Sequence, residues 1–175
     1  MLIFETHRLR VRQLAESDFA DLYRLLSDPE VMRYITTPYK DETQVRERMD
    51  LWNNYSQLRP GLGTFALEIK DTGVFCGFCV ARQVEYNPES DEFEIGYILA
   101  PEFWGQGLVS ELVPFLCKYC FQQSGADRLV AFTDPDNTTS QHILIKSGFK
   151  FTGLRERPDL VSTEYWLEKT AFVSP

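Results

Sequence analysis

No stretch of this chain is apolar for the roughly 20 residues that a bilayer-spanning helix needs. The opening MLIFETHRLRVRQL carries no apolar core of a secretory leader. Basic excess is missing too. The net charge is −8, with no basic patch and no block of like charges, which argues against nucleic acid as a partner. Linkers, internal repeats and low-complexity tracts are absent. What is present suits a packed core: 43% hydrophobic and 14% aromatic residues in 175 positions. The expectation is a single domain over residues 1–175, soluble and cytoplasmic.

The four cysteines fall as Cys76-x-x-Cys79 and Cys117-x-x-Cys120, a spacing that two zinc knuckles would share. Their settings lack the turn residues of a knuckle. VFCGFCVA reads as a strand, in which an odd spacing sends the two side chains to opposite faces. VPFLCKYCF reads as a helix. Buried, reduced thiols and no metal are expected.

Alternation in Leu9–Leu14 marks a first strand, and Ser17 is placed to cap a helix buried through Phe19, Leu22, Tyr23, Leu25 and Leu26. Asp28-Pro29 breaks that helix. A second, polar helix runs from Asp41 to about Leu58, with Val45, Met49, Trp52 and Tyr55 as its apolar stripe. GTFALEIK and VFCGFCVARQV form a hairpin through Asp71-Thr72-Gly73. After a strand over Phe93–Ala100, a helix begins near Leu108 and contains Pro114, which should kink it. A strand over Arg128–Thr133, a short helix through Ile143 and Ile145, and two closing strands complete the order β-α-α-β-β-β-α-β-α-β-β. That order is a mixed α/β domain.

The most informative stretch is FEIGYILAPEFWGQGLVSE, Phe93 to Glu111. A strand, a glycine turn and a helix N-terminus follow one another, an arrangement able to hold phosphate. The first helical amides lack intrahelical acceptors, the helix dipole favours an anion there, and glycines permit close approach. The turn has no Walker lysine, since GQGLVS does not match Gly-Lys-Ser/Thr.

Trp104-Gly105-Gln106-Gly107-Leu108-Val109 resembles the (Gln/Arg)-x-x-Gly-x-(Gly/Ala) motif of GNAT acetyltransferases, and most closely the form in the ribosomal-protein N-acetyltransferase (RimJ/RimL-like) branch. Thr6-x-Arg8-Leu9-x-x-Arg12 is similar to the opening signature of that branch. Asn137-x-x-Ser140-x-x-Ile143-Leu144-x-Lys146-x-Gly148-Phe149 is similar to its later Asn-x-x-Ser/Ala…Lys-x-Gly-Phe segment. The resemblance runs from Thr6 to about Trp166.

It implies a mostly antiparallel, twisted sheet flanked by helices and splayed between the Phe93–Ala100 and Arg128–Thr133 strands. It implies acetyl-CoA as co-substrate and no metal. The pantetheine arm would lie in the splay on the backbone of Ile98, Leu99 and Ala100. The pyrophosphate would meet Trp104, Gly105, Gln106, Gly107, Leu108, Val109 and Ser110, with Asn137 nearby. The acceptor is a primary amine, on a protein N-terminus or a small molecule, and the two-helix region borders its site, which offers Trp52 and Tyr55 a substrate contact as the alternative to core packing. An amine must lose a proton before attack, so a carboxylate base is implied, with Glu94 the candidate and Glu92, Glu68 and Glu85 as alternatives. The leaving thiolate needs a donor. Leu144 stands where many members carry a tyrosine, and Ser140 matches the serine proposed for the task in the RimL-like branch, or else caps its helix. Val109 in place of Gly or Ala, and Gln106 in place of Lys or Arg, imply weaker or shifted cofactor binding. The rival expectation is a degenerate domain that senses acyl-CoA without turnover. Monomer and homodimer both stay open.

Overall fold

The computed structural model describes residues 1–157 and 160–175. An eight-stranded sheet runs in the order β1-β2-β3-β4-β5-β6-β8-β7. Its strands are β1 Leu2–Glu5, β2 Leu9–Gln13, β3 Gly63–Ile69, β4 Phe75–Gln83, β5 Phe93–Leu99, β6 Arg128–Thr133, β7 Lys150–Arg157 and β8 Leu160–Glu168. Every neighbouring pair is antiparallel except β5 and β6. Helices α1 Phe19–Ser27, α2 Pro29–Met32 and α3 Glu42–Leu58 cover one face, and α4 Leu108–Ser124 and α5 Thr138–Lys146 the other.

Each face has its own core. Leu22, Met49 and Trp52 pack on Ala66, Phe78 and Val80, whereas Leu112, Leu116 and Cys120 pack on Leu9, Leu67 and Ile95. The alternation of β3, β4 and β5 divides their side chains between these layers. The α3 stripe foreseen from its spacing is buried as expected, and Asp41 caps the helix by accepting the Gln44 amide at 3.0 Å.

Three local expectations are corrected. Ser17 does not cap α1; it lies inside a 3-10 turn over Glu16–Asp18. The carboxylate of Asp18 takes the Ala15 amide at 2.8 Å and the Arg12 guanidinium at 2.6 and 2.7 Å. The first strand is β1, not the Leu9 strand, because four edge residues are too short a run to show alternation. Cys76 and Cys79 do not part to opposite faces. Leu67 pairs with Gly77 and Glu68 with Phe75, so Cys76 is an extra residue, a β-bulge, that turns onto the same core layer as Cys79.

All four cysteines are buried and in no disulfide. Burial pushes Cys76 and Cys120 up to about 12, which keeps them as neutral thiols. No group of His, Cys, Asp and Glu among the described residues is arranged to hold a metal ion. Helix α4 continues through Pro114, which has no amide to donate to the Ser110 carbonyl.

The bulge demands glycine at 77. Gly77 has φ 149°, and a Cβ there would stand 2.1 Å from the Ile98 carbonyl oxygen. Gly73, in the β3–β4 turn at φ 69°, has open space around it. Gly77→Ala should therefore cost about 3 kcal/mol or more in urea unfolding, against about 1 kcal/mol for Gly73→Ala. Equal costs would show that β4 and β5 separate easily at the bulge.

Candidate active site

Strands β5 and β6 are hydrogen-bonded neighbours for two residue pairs only, Phe93–Leu129 and Glu94–Val130. Beyond Glu94 they part. The opening is a cleft of about 830 Å³ between Tyr97, Ile98 and Leu99 on one wall and Phe132 and Thr133 on the other. Residues of α2, the first turn of α4 and one side of α5 from Thr139 to Lys146 complete the lining.

The parting leaves main-chain groups of β5 without a strand. On the other edge β5 is fully paired to β4, and the ladder continues to the Ala100 amide, which donates to Cys76 at 2.9 Å. Successive residues of a ladder point their amides to opposite edges, so Leu99 and Tyr97 turn theirs into the cleft. The Leu99 carbonyl is taken by the Trp104 indole N–H at 2.7 Å. Ile98 lines the cleft with its side chain, and Ala100 lies outside the lining.

The glycine turn closes one end. Gly105 and Gly107 have φ of 70° and 74°, left-handed conformations that a side chain resists. Gly107 is the N-cap of α4, and the first helical bond runs from the Glu111 amide to its carbonyl at 3.1 Å. The amides of Leu108, Val109 and Ser110 precede that bond and have no helical acceptor. Trp104, Gly105, Gly107 and these three residues border the cleft, while Gln106 does not. Across from them Asn137 caps α5, accepting the Ser140 amide at 3.1 Å.

Comparison with known proteins agrees with this geometry. Residues 8–150 match the acetyltransferase (GNAT) domain family. The Uncharacterized N-acetyltransferase p20 of Bacillus licheniformis is 33% identical over 150 residues, covering 85% of this chain and 83% of that protein. The chain belongs to the GNAT acetyltransferase family. Two solved structures share the fold at low identity. RimL, a ribosomal L7/L12 alpha-N-protein acetyltransferase in complex with coenzyme A, superposes with a TM-score of 0.81 at 18% identity over 98% of this chain and 99% of its own. The spermidine N-acetyltransferase of Vibrio cholerae, in complex with CoA and spermine, gives 0.77 at 19% over 94% and 97%.

Within this GNAT fold several side chains sit where the sequence did not point. Leu144, at the usual tyrosine position, is buried in the core. A different tyrosine reaches the cleft: the Tyr97 hydroxyl lies 2.9 Å from the Ser140 hydroxyl, bridging β5 to α5 across the splay. Burial pushes Tyr97 up to about 12, with the Ser140 hydrogen bond offsetting part of the rise, so it stays protonated at neutral pH. It was not among the residues singled out from the sequence; strict alternation from Ile95 places it on the α5 face. Ser140 does not cap its helix, because Asn137 does.

Glu94 is nine-tenths buried and ion-paired with Arg82 at 2.9 Å, outside the residues that line the cleft. The alternatives are also engaged: Glu92 with Arg155 at 2.9 and 3.0 Å and Glu68 with Arg12 at 2.5 Å, while Glu85 sits in the left-handed turn after β4. Val109 packs against the core under α4 while facing the cleft. It therefore has a structural reason to be branched that the motif comparison alone missed.

Proposed function

We propose that this GNAT enzyme is an acetyl-CoA-dependent N-acetyltransferase of the RimJ/RimL-like branch, acting on a primary amine, with residues 1–175 as its single domain. The observation that carries the reading is that the glycine turn and the parted strands open into one cleft. Anion-binding amides and unpaired strand amides are thereby offered to a single elongated ligand. Acetyl-CoA supplies the acetyl group as an activated thioester. The amides of Leu108, Val109 and Ser110 and the Asn137 side chain would hold its pyrophosphate, and Leu99 and Tyr97 would hold its arm with their main chain.

The chain's own groups then divide the proton work. Tyr97 and Ser140 hold two hydroxyl protons beside the cleft, and the high Tyr97 value suits a donor that must not ionise first. They offer hydroxyl donors in place of the missing helix tyrosine, which with the Val109 departure was what favoured the non-catalytic sensor reading. Glu94 is the proposed base, acting through water because its carboxylate faces Arg82 and not the cleft. The acceptor enters beside α2, where Arg33, Tyr34 and Ile35 line the mouth. A protein N-terminus and a polyamine are the acceptors named for the two solved relatives, and either kind of amine suits this chemistry.

Acetyl-CoA at one hundred times its Kd should stabilise the protein by about 2.7 kcal/mol, because a ligand of the native state shifts unfolding by mass action. ATP and NAD at equal concentration should shift Tm much less. Gly107→Val should abolish the acetyl-CoA shift and also lower stability, since a Cβ there meets nothing closer than 3.7 Å but a branched residue resists a φ of 74°. Equal shifts with all three ligands would remove the basis of the reading.

The hydroxyls are tested in an acceptor screen that detects released CoA thiol. Tyr97→Phe and Ser140→Ala should each lower kcat about a hundredfold to ten-thousandfold, the range for lost acid catalysis, with acetyl-CoA affinity changed only a few-fold. Normal turnover per folded molecule would reduce the pair to a structural bridge.

A base is needed only while the amine is protonated. Glu94→Gln should therefore slow turnover most below the amine's pKa, about 8 for an α-amine, and progressively less as the pH rises above it. A loss that is the same from pH 6 to pH 10 would assign Glu94 to the Arg82 ion pair alone.

A further inference from the structure

The opening signature Thr6-x-Arg8-Leu9 has no part in the chemistry above, yet its side chains end on the phosphate turn. Thr6 is buried, and its hydroxyl bonds to Glu111, in the first turn of α4. The same carboxylate receives the Arg8 amide at 2.7 Å and the Arg8 Nε at 2.7 Å. Arg8 Nη1 then donates to the Gln106 carbonyl at 2.8 Å. Its other terminal nitrogen, Nη2, stands 3.7 Å from where a Cβ on Gly107 would be. One guanidinium thus grips both ends of the turn and lies against the glycine between them.

The Gln106 side chain turns away to the Glu102 carbonyl at 2.8 Å, so the turn contributes no cation of its own. Glu111 adds the opposite problem. A carboxylate in the first turn of a helix suits the dipole but repels a phosphate bound there. Burial would raise Glu111, yet hydrogen bonds from Thr6 and Arg8 and the Arg8 charge outweigh it and hold the carboxylate below its ordinary value. It is therefore charged at neutral pH, and Arg8 is the cation that compensates it.

Resting on the acetyl-CoA reading, we propose that Arg8 is a positioning residue of the pyrophosphate site. It fixes the glycine turn through Gln106 and Glu111, and supplies beside Gly107 the positive charge that Gln106 does not. Charge-assisted, forked hydrogen bonding is what an arginine does better than a lysine, whose ammonium is a single point.

Calorimetric titration of the whole chain with CoA, dephospho-CoA and pantetheine tests this. Arg8→Gln should weaken CoA and dephospho-CoA alike, by about tenfold to a hundredfold, and leave pantetheine within twofold of wild type. Arg8→Lys should fall between, and Glu111→Gln added to Arg8→Gln should recover part of the loss by removing the uncompensated carboxylate. Should Arg8→Gln fold poorly, the Arg8→Lys comparison between CoA and pantetheine decides. Unchanged CoA affinity in the variants, or equal loss for pantetheine, overturns the proposal while leaving the acetyltransferase reading intact. Failure of the wild-type chain to bind CoA overturns both.

Discussion

A sheet that hydrogen-bonds across every other neighbouring pair gives up its ladder between β5 and β6 after two residue pairs. Buried strand amides without partners are costly, roughly 1–3 kcal/mol each, so such a break persists only where something satisfies them or water enters. Here the Trp104 indole donates to the Leu99 carbonyl, while the Leu99 and Tyr97 amides face a cleft that water or a ligand can enter. The rest of the site follows from that break. It makes room between the strands, sets unpaired main chain along one wall, and aims the N-terminus of α4 at the opening. The β4 bulge supports it from the far side, where Gly77 lets β4 lie against Ile98 and Leu99.

Charge is organised around the same sheet. Arg12 joins β2 to Asp18 and to Glu68 of β3 at 2.5 to 2.6 Å, and Arg82 stacks 3.9 Å over Tyr86 while pairing with Glu94. Hydrogen bonding to Asp18 and Glu68 outweighs burial and raises the Arg12 pKa. Such largely buried pairs add little net stability, because desolvation offsets most of the attraction, but removing one partner leaves a charge stranded. In Glu94 this structural duty and the proposed base role meet in a single side chain.

Much of this was legible in the residues. Periodicity and turn residues placed α1, α3, the β3–β4 hairpin and the glycine-bounded start of α4, since those signals are local. The phosphate turn was legible because glycine at 105 and 107 answers a backbone demand that is written one residue at a time. What the sequence withheld were relations between distant segments. The bulge at Cys76 depends on the register with β3, the 3-10 turn before α1 on a carboxylate shared with Arg12, and the Tyr97–Ser140 contact on two residues 43 positions apart. Val109 looked like a flaw in a motif until the core behind it was visible.

The two cysteine pairs, one on β4 and one on α4, face each other across the layer that seals α4 to the sheet, all of them buried as neutral thiols. In that state none can meet a reagent from solvent. An alkylating probe reaches them only while the helix lifts from the strands, so the labelling rate counts those openings. Since the pyrophosphate turn is the first turn of the same helix, a ligand seated there and a slower clock of thiol modification are one event observed from opposite ends of α4.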